Sequence, residues 1–213
     1  MKKRLTAMAC ALCLCAGLIL PAAAAESVET TAEGYTDVPA GAWYETAVAE
    51  ATANGYMTGV AEGLFAPEDS VTRATVVTVL WRMEGSPAPA ASVSFGDVSP
   101  DAWYAQAVAW AKENGIANGD TRGDFKPDQA VNRQELAAFL TRYDQYRGVE
   151  LAEGSLALYS DANMTGIWAV ESMRHAVGMG WLEGNGDKLM PGGLATRAQL
   201  AVILQRLTTQ AMG

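Results

Sequence analysis

Apolar positions along this chain recur with a helical period, and one pattern is written three times. Tyr104, Ala107, Val108 and Ala111 fall at i, i+3, i+4 and i+7, a single stripe along a helix. Tyr44, Ala47, Val48 and Ala51 repeat that stripe 60 residues earlier. A second stripe runs through Val76, Val77, Leu80 and Met83. It is matched by Leu136, Ala137, Leu140 and Tyr143, and by Leu200, Ala201, Leu204 and Leu207. Gly55, Gly115 and Gly180 stand where the first helix needs a C-terminal cap, since glycine enters the left-handed region without a side-chain penalty. Thr72, Asn132 and Thr196 stand where the second helix needs an oxygen for its free N–H groups. Each unit therefore reads as helix, long loop, helix, and the fold class as all-α. Two short helices cannot bury such stripes alone. The units are expected to pack together, with the three second helices in a central bundle.

The copies align residue by residue. Tyr35 to Gly59 (YTDVPAGAWYETAVAEATANGYMTG) matches Phe95 to Gly119 (FGDVSPDAWYAQAVAWAKENGIANG). Tyr159 to Gly184 (YSDANMTGIWAVESMRHAVGMGWLEG) is a more diverged third copy. Asp37, Asp97 and Asp161 correspond, as do Trp43, Trp103 and Trp168, and Gly59, Gly119 and Gly184. So do Pro67, Pro127 and Pro191, and Arg73, Arg133 and Arg197. Copy three has one residue more between Asp161 and Trp168 and one fewer between Gly184 and Leu189, changes that loops absorb at small cost. The units are bounded at 35–85, 95–147 and 159–208. A Pro- and Ala-rich stretch, 84–94, and a less regular one, 147–158, link them. Residues 26–34 are polar and are expected to be disordered.

Residues 1–25 read as a secretory signal: Lys2, Lys3 and Arg4, an apolar run from Leu5 to Leu20, then Ala23-Ala24-Ala25 before the cleavage point. The run is shorter than the roughly 20 residues of a membrane-spanning helix. Cys10, Cys13 and Cys15 all lie within it, so the mature chain is expected to have no disulfide and no thiolate metal site. The remaining residues suffice for a core of their own. Losing three of the 15 basic residues takes the formal net charge from −9 to −12. That excludes a nucleic-acid binder, which draws affinity from a basic surface. It also argues against attraction to an anionic membrane. An acidic polymer has to be met in local pockets.

Arg73, Arg133 and Arg197 break a local rule. Each occupies the first position of a second helix, where the aligned peptide dipoles already place about half a positive charge. One reading is structural: each arginine pairs with the Asp of its own unit (Asp37, Asp97 or Asp161) and ties the loop to the helix start. The other is an anion site, where free backbone N–H groups, the dipole and a guanidinium fork converge on a carboxylate or phosphate. Trp43, Trp103 and Trp168, near the start of each first helix, read as core residues. Partly exposed beside such a pocket, they also offer a stacking face to a sugar ring. The loop between the helices runs to about 17 residues, a length that is often functional. Its apolar anchor (Phe65, Phe125 or Leu189) and its proline are explained by turn chemistry alone.

Enzyme readings find little support. Neither G-x-S-x-G nor H-E-x-x-H occurs. The one histidine, His175, falls on a helix face and is expected to be structural or solvated. Asp120 to Asp124 (DTRGD) lacks the spacing of a calcium loop. No metal, cofactor or catalytic residue is assigned. A carboxylate pair for glycoside hydrolysis stays open on composition, though nothing singles one out.

Residues 95–142 (FGDVSPDAWYAQAVAWAKENGIANGDTRGDFKPDQAVNRQELAAFLTR) resemble an S-layer homology (SLH) repeat. The likeness lies in the aromatic-x-Asp-Val opening, the Trp-Tyr, the Asn-Gly-Ile, the Phe-x-Pro and the Thr-Arg-Ala-Glu-like motif. It extends over nearly all of the mature chain as three tandem repeats. The resemblance implies a pseudo-threefold spindle around a three-helix bundle, with grooves between the repeats. It implies non-covalent anchoring at the cell surface through secondary cell-wall polysaccharide bearing ketal-linked pyruvate. Arg73, Arg133 and Arg197 would then contact the pyruvyl carboxylate, with the matching Asp, Trp and Gly residues lining the grooves. The protein would be secreted and attached to the wall, with no membrane contact once the signal is removed. Copy three departs furthest from the motif, so its groove is the first expected to fail. No passenger domain is evident, which suggests a stand-alone wall binder. A wall-modifying glycan hydrolase and a structural protein acting through other surface proteins are the alternatives.

Overall fold

A computed structural model describes residue 32 and residues 34–90 and 95–211. The expected signal at 1–25 lies outside the described residues, as does most of 26–34. The described chain is all-α. Its helices are α1 (Glu45–Ala53), α2 (Arg73–Met83), α3 (Ala105–Glu113), α4 (Arg133–Tyr146), α5 (Val170–Gly178) and α6 (Arg197–Ala211). The extra residue of copy three is taken up where two short 3-10 turns, Ala162–Met164 and Ile167–Ala169, precede α5.

The helix ends follow from local chemistry. Gly55, Gly115 and Gly180 have φ of +72°, +71° and +66°, the left-handed exit that the sequence marks. Thr72 Oγ1 accepts the N–H of Thr75, and Asn132 with Glu135 forms a complete capping box. Thr196 and Gln199 exchange backbone-to-side-chain bonds of 3.3 Å in the same way. The stripes are buried as their period requires: Val76, Val77, Leu80, Leu136, Leu140, Leu200 and Leu204 all lie in the core. The loop anchors Phe65, Phe125 and Leu189 are fully buried beneath them.

The helices pair across unit boundaries. α2 packs on α3, α4 on α5, and α6 returns to α1; α2 and α4 also touch each other. The backbone runs in the same sense. The extended residues before each second helix form a closed cycle of hydrogen bonds: Val71 N–H to Ala195 O, Ala195 N–H to Val131 O, and Val131 N–H to Val71 O, each 2.9 Å. Every unit thus donates to another and accepts from the third.

His175 is structural, not solvated. It lies on α5, fully buried against Asp144 of α4, and its ring meets Trp181 edge-on. The N–H of Ala152 donates to Nδ1 at 2.9 Å, which puts the ring proton on Nε2, 3.2 Å from Asp144 Oδ2.

Candidate functional site

The helix starts explain why three arginines sit on positive dipole ends. Nε of Arg73 donates to Phe125 O (2.6 Å), Nε of Arg133 to Leu189 O (2.9 Å), and Nε of Arg197 to Phe65 O (2.7 Å). Nη2 of Arg133 reaches Glu183 O and Nη2 of Arg197 reaches Thr58 O, both at 2.7 Å. Each guanidinium thus fastens its own helix to the loop of the next unit. The favourable carbonyl contacts offset the unfavourable dipole. The guanidinium of Arg197 also lies 4.5 Å from the centre of the Phe65 ring.

Two expectations are corrected here. The arginines do not pair with the Asp of their own unit. That aspartate is occupied inside its own loop, and each arginine crosses to its neighbour. Nor are the first N–H groups of the helices free for an anion. The N–H groups of Arg73, Arg133 and Arg197 donate to Gln129 O, Gly193 O and Asp69 O at 2.8–3.0 Å. The next N–H in each helix goes to the carbonyl of Pro127, Pro191 or Pro67. An anion can be met only by the guanidinium edge that the carbonyls leave. Nη1 of Arg133 and of Arg197 has no acceptor among the described residues. Burial pushes the pKa of both guanidinium groups down from its usual value, the cost of holding a cation in low dielectric.

The aspartates shape the loop. Asp37 accepts the N–H groups of Phe65 (2.9 Å) and Ala66 (2.7 Å) on its two oxygens. Asp97 does the same for Phe125 and Lys126, and Asp161 for Leu189 and Met190. Ala66, Lys126 and Met190 have φ of +56°, +58° and +53°. A side-chain-bearing residue pays of order 1 kcal/mol or more to sit there, and the two charge-assisted bonds hold it in place.

The clamp has an acid signature. At Asp161 the N–H of Leu189, helped by that of Met190, outweighs burial and holds the carboxyl below the usual carboxylate range. At Asp37 burial pushes the carboxyl up, but the bonds from Phe65 and Ala66 prevail and it too ends low. The folded pKa lies below the unfolded one. This stabilisation is therefore complete above about pH 4 and is lost as pH falls through the folded values. Urea midpoints are expected to lose less between pH 4 and pH 2 in an Asp37→Asn, Asp161→Asn double variant than in the parent. An equal loss would show the clamp to be idle.

The tryptophans are not core residues. Trp43, Trp103 and Trp168 are 65%, 63% and 59% exposed. The glycines are places of close approach: a Cβ on Gly59 would stand 2.8 Å from the Tyr35 ring, and one on Gly184 would stand 2.5 Å from the Tyr159 ring.

Two cavities then draw one expected residue from each unit. A cavity of about 520 Å³ is lined by Gly59 of unit one, Trp103 of unit two and Arg197 of unit three. Another, of about 460 Å³, is lined by Gly184 of unit three, Trp43 of unit one and Arg133 of unit two. The most diverged copy contributes Arg197 to the first cavity and Gly184 to the second. Neither cavity takes in Asp37, Asp97 or Asp161, nor the third set of Arg73, Trp168 and Gly119. Arg73 instead lies between two rings, 5.0 Å from the centre of Phe125 and 5.1 Å from that of Phe139.

Sequence reasoning missed a second arginine in each cavity. Arg82 lines the first and Arg206 the second. Both stand nine residues after the arginine of their own helix, as does Arg142, and that recurring register was the available signal. Among the described residues no helix is long and apolar enough to cross a membrane. No group of three or more His, Cys, Asp or Glu among them is placed to hold a metal.

Residues 34–77 and 94–137 match the family model of the S-layer homology domain. The chain belongs to the S-layer homology family. It is 28% identical over 187 residues to the S-layer protein of Bacillus licheniformis, covering 87% of this chain and 20% of that protein. It is 33% identical over 156 residues to the surface-layer 125 kDa protein of Lysinibacillus sphaericus, covering 71% of this chain and 13% of that one. A cellulosome-anchoring protein of Acetivibrio thermocellus is 25% identical over 156 residues, covering 71% of this chain and 35% of its own. The SLH chain thus spans a minor part of the relatives it matches. In SLH terms, the matched segments run from the aromatic opening of units one and two, through the loop, into α2 and α4.

Proposed function

We propose that this chain anchors at the cell surface by holding secondary cell-wall polysaccharide without covalent bonds, and that it recognises ketal-linked pyruvate in the grooves between units. In this reading residues 159–208 are a third SLH unit, and the three units close as a pseudo-threefold ring about their second helices. The observation that carries it is the meeting, in each of two cavities, of an arginine, a glycine edge and an exposed indole from three different units. Arg197 or Arg133 takes the carboxylate on the guanidinium edge its carbonyls leave free. Trp103 or Trp43 gives the sugar ring a stacking face, and Gly59 or Gly184 leaves it room. Arg73, Trp168 and Gly119 form the corresponding third set. Asp37, Asp97 and Asp161 act as positioning residues through the loops they clamp. The family and the surface-protein relatives support the wall as the site of action, outside the cell, and binding, not catalysis, as the role.

The test works on the glycan and so leaves the fold untouched. Purified wall polysaccharide is expected to carry the protein down on centrifugation. The same polymer stripped of ketal pyruvate by mild acid is expected to leave it in solution. Equal sedimentation with both would contradict the pyruvyl reading and mean that the grooves read the sugar backbone.

A further inference from the structure

The grooves are unequal, and the inequality is written in α2, α4 and α6. In the Arg197 groove, α2 contributes Thr75, Thr78, Val79 and Arg82, one helical face at i, i+3, i+4 and i+7. The same register in α6 gives Gln199, Val202, Ile203 and Arg206 to the Arg133 groove. In α4 it reads Glu135, Ala138, Phe139 and Arg142. Three differences follow. The Phe139 ring stands against Arg73 where the other two helices have the smaller Val79 and Ile203, so the guanidinium face in that groove is covered. Glu135 puts a carboxylate where the others have Thr75 and Gln199, which repels an anionic ligand, while Asp120, where the others have Val60 and Asn185, is paired with Lys126 at 2.8 Å. In the Arg133 groove, Arg206 is already paired with Glu183 at 3.1 Å. Arg82 has Thr58 at the position of Glu183 and among the described residues donates only to Tyr56 O, at 3.2 Å.

Thr78 adds an independent observation. A threonine inside a helix ordinarily turns its hydroxyl back to the carbonyl four residues before, as Thr52, Thr141 and Thr208 do. Thr78 is 3% exposed and lines the Arg197 cavity, and its Oγ1 has no partner among the described residues. A buried hydroxyl without a partner is costly, and a ligand oxygen would relieve it.

We infer that the Arg197 groove is the dominant glycan site, in which Thr78 and Arg82 receive a second oxygen function of the sugar beside the carboxylate met by Arg197. The Arg133 groove is a weaker site, and the Arg73 groove, crowded by Phe139 and faced by Glu135, is the weakest for an anion. This inference rests on the anchoring function proposed above.

The exposed tryptophans assign the grooves one at a time without disturbing the fold. The probe is a short oligosaccharide carrying ketal pyruvate, released from wall polysaccharide and titrated calorimetrically into the full chain. Trp103→Ala is expected to weaken the tightest binding about tenfold, and Trp43→Ala and Trp168→Ala less than twofold. Thr78→Val is expected to weaken it about threefold to tenfold while leaving the melting temperature equal or higher. The inference is overturned if Trp43→Ala or Trp168→Ala costs as much as Trp103→Ala, or if Thr78→Val binds like the parent. Equal binding of the same oligosaccharide after pyruvate removal would instead sink the pyruvyl reading, with the ranking still legible from the three tryptophan variants. A parent protein that binds neither form overturns both.

Discussion

Arg197→Ala is expected to lower the unfolding free energy by about 3–5 kcal/mol, a large part of the 5–15 kcal/mol typical of a domain. Two charge-assisted bonds disappear together, to Phe65 O and Thr58 O, partners 132 and 139 residues away in the chain. Each such bond contributes of order 1.5–3 kcal/mol, and the carbonyls left behind would be short of a donor. The stacking on Phe65 goes with them. Arg197 is also the link from the last unit back to the first, so its loss opens the cycle at one point. Arg197→Lys is expected to recover less than half of the deficit. A single ammonium does not reproduce a planar fork that serves two separate carbonyls. Urea denaturation checks both variants. A loss below about 1 kcal/mol for the alanine variant would mean that the inter-unit bonds contribute little.

His175→Leu is the second large effect, at about 3 kcal/mol or more, because it leaves the Asp144 carboxylate buried without its donor. Burial raises the pKa of Asp144, and the bond from His175 opposes that rise. Arg147 stands 4.0 Å from the other oxygen, too far to replace the lost bond. The N–H of Ala152 loses its acceptor in the same change. Asp144→Leu together with His175→Leu is expected to recover much of the loss, since no charge is then stranded. Urea midpoints of the two single variants and the double one form the cycle that measures it. Additive losses would mean that the pair is not coupled.

The helices, their caps and the loop anchors could be read from the sequence because each depends on residues within a turn or two. Gly55, Thr72 and Asn132 announce themselves by type and position alone. The arginines were legible as an anomaly but not as a solution. Their partners are backbone carbonyls of Phe65, Phe125, Leu189, Glu183 and Thr58, and a carbonyl leaves no mark in the sequence. The same blindness hid the fate of the first helical N–H groups, which a neighbouring loop takes up before any ligand can. The tryptophans misled for another reason. Burial is the usual fate of an indole, and only the packing of one unit beside another shows that Trp43, Trp103 and Trp168 stay exposed. The aspartates pointed to the right loop, but their role as clamps depends on the positive φ of Ala66, Lys126 and Met190, which those residue types do not advertise. Copy three looked weakest because its motif has drifted. It contributes Arg197 to the first cavity and Gly184 to the second.

The central claim is that one guanidinium both fastens a neighbouring unit and meets the carboxylate of the glycan. The measurement that tests it most directly is a nuclear magnetic resonance titration with the pyruvylated oligosaccharide, following the Nε–H signal of Arg197 and the indole N–H of Trp103. Both signals are expected to move along one binding curve, and neither is expected to move when the pyruvate has been removed. Movement of Trp103 alone would contradict the claim, leaving Arg197 as a fastener between units and nothing more.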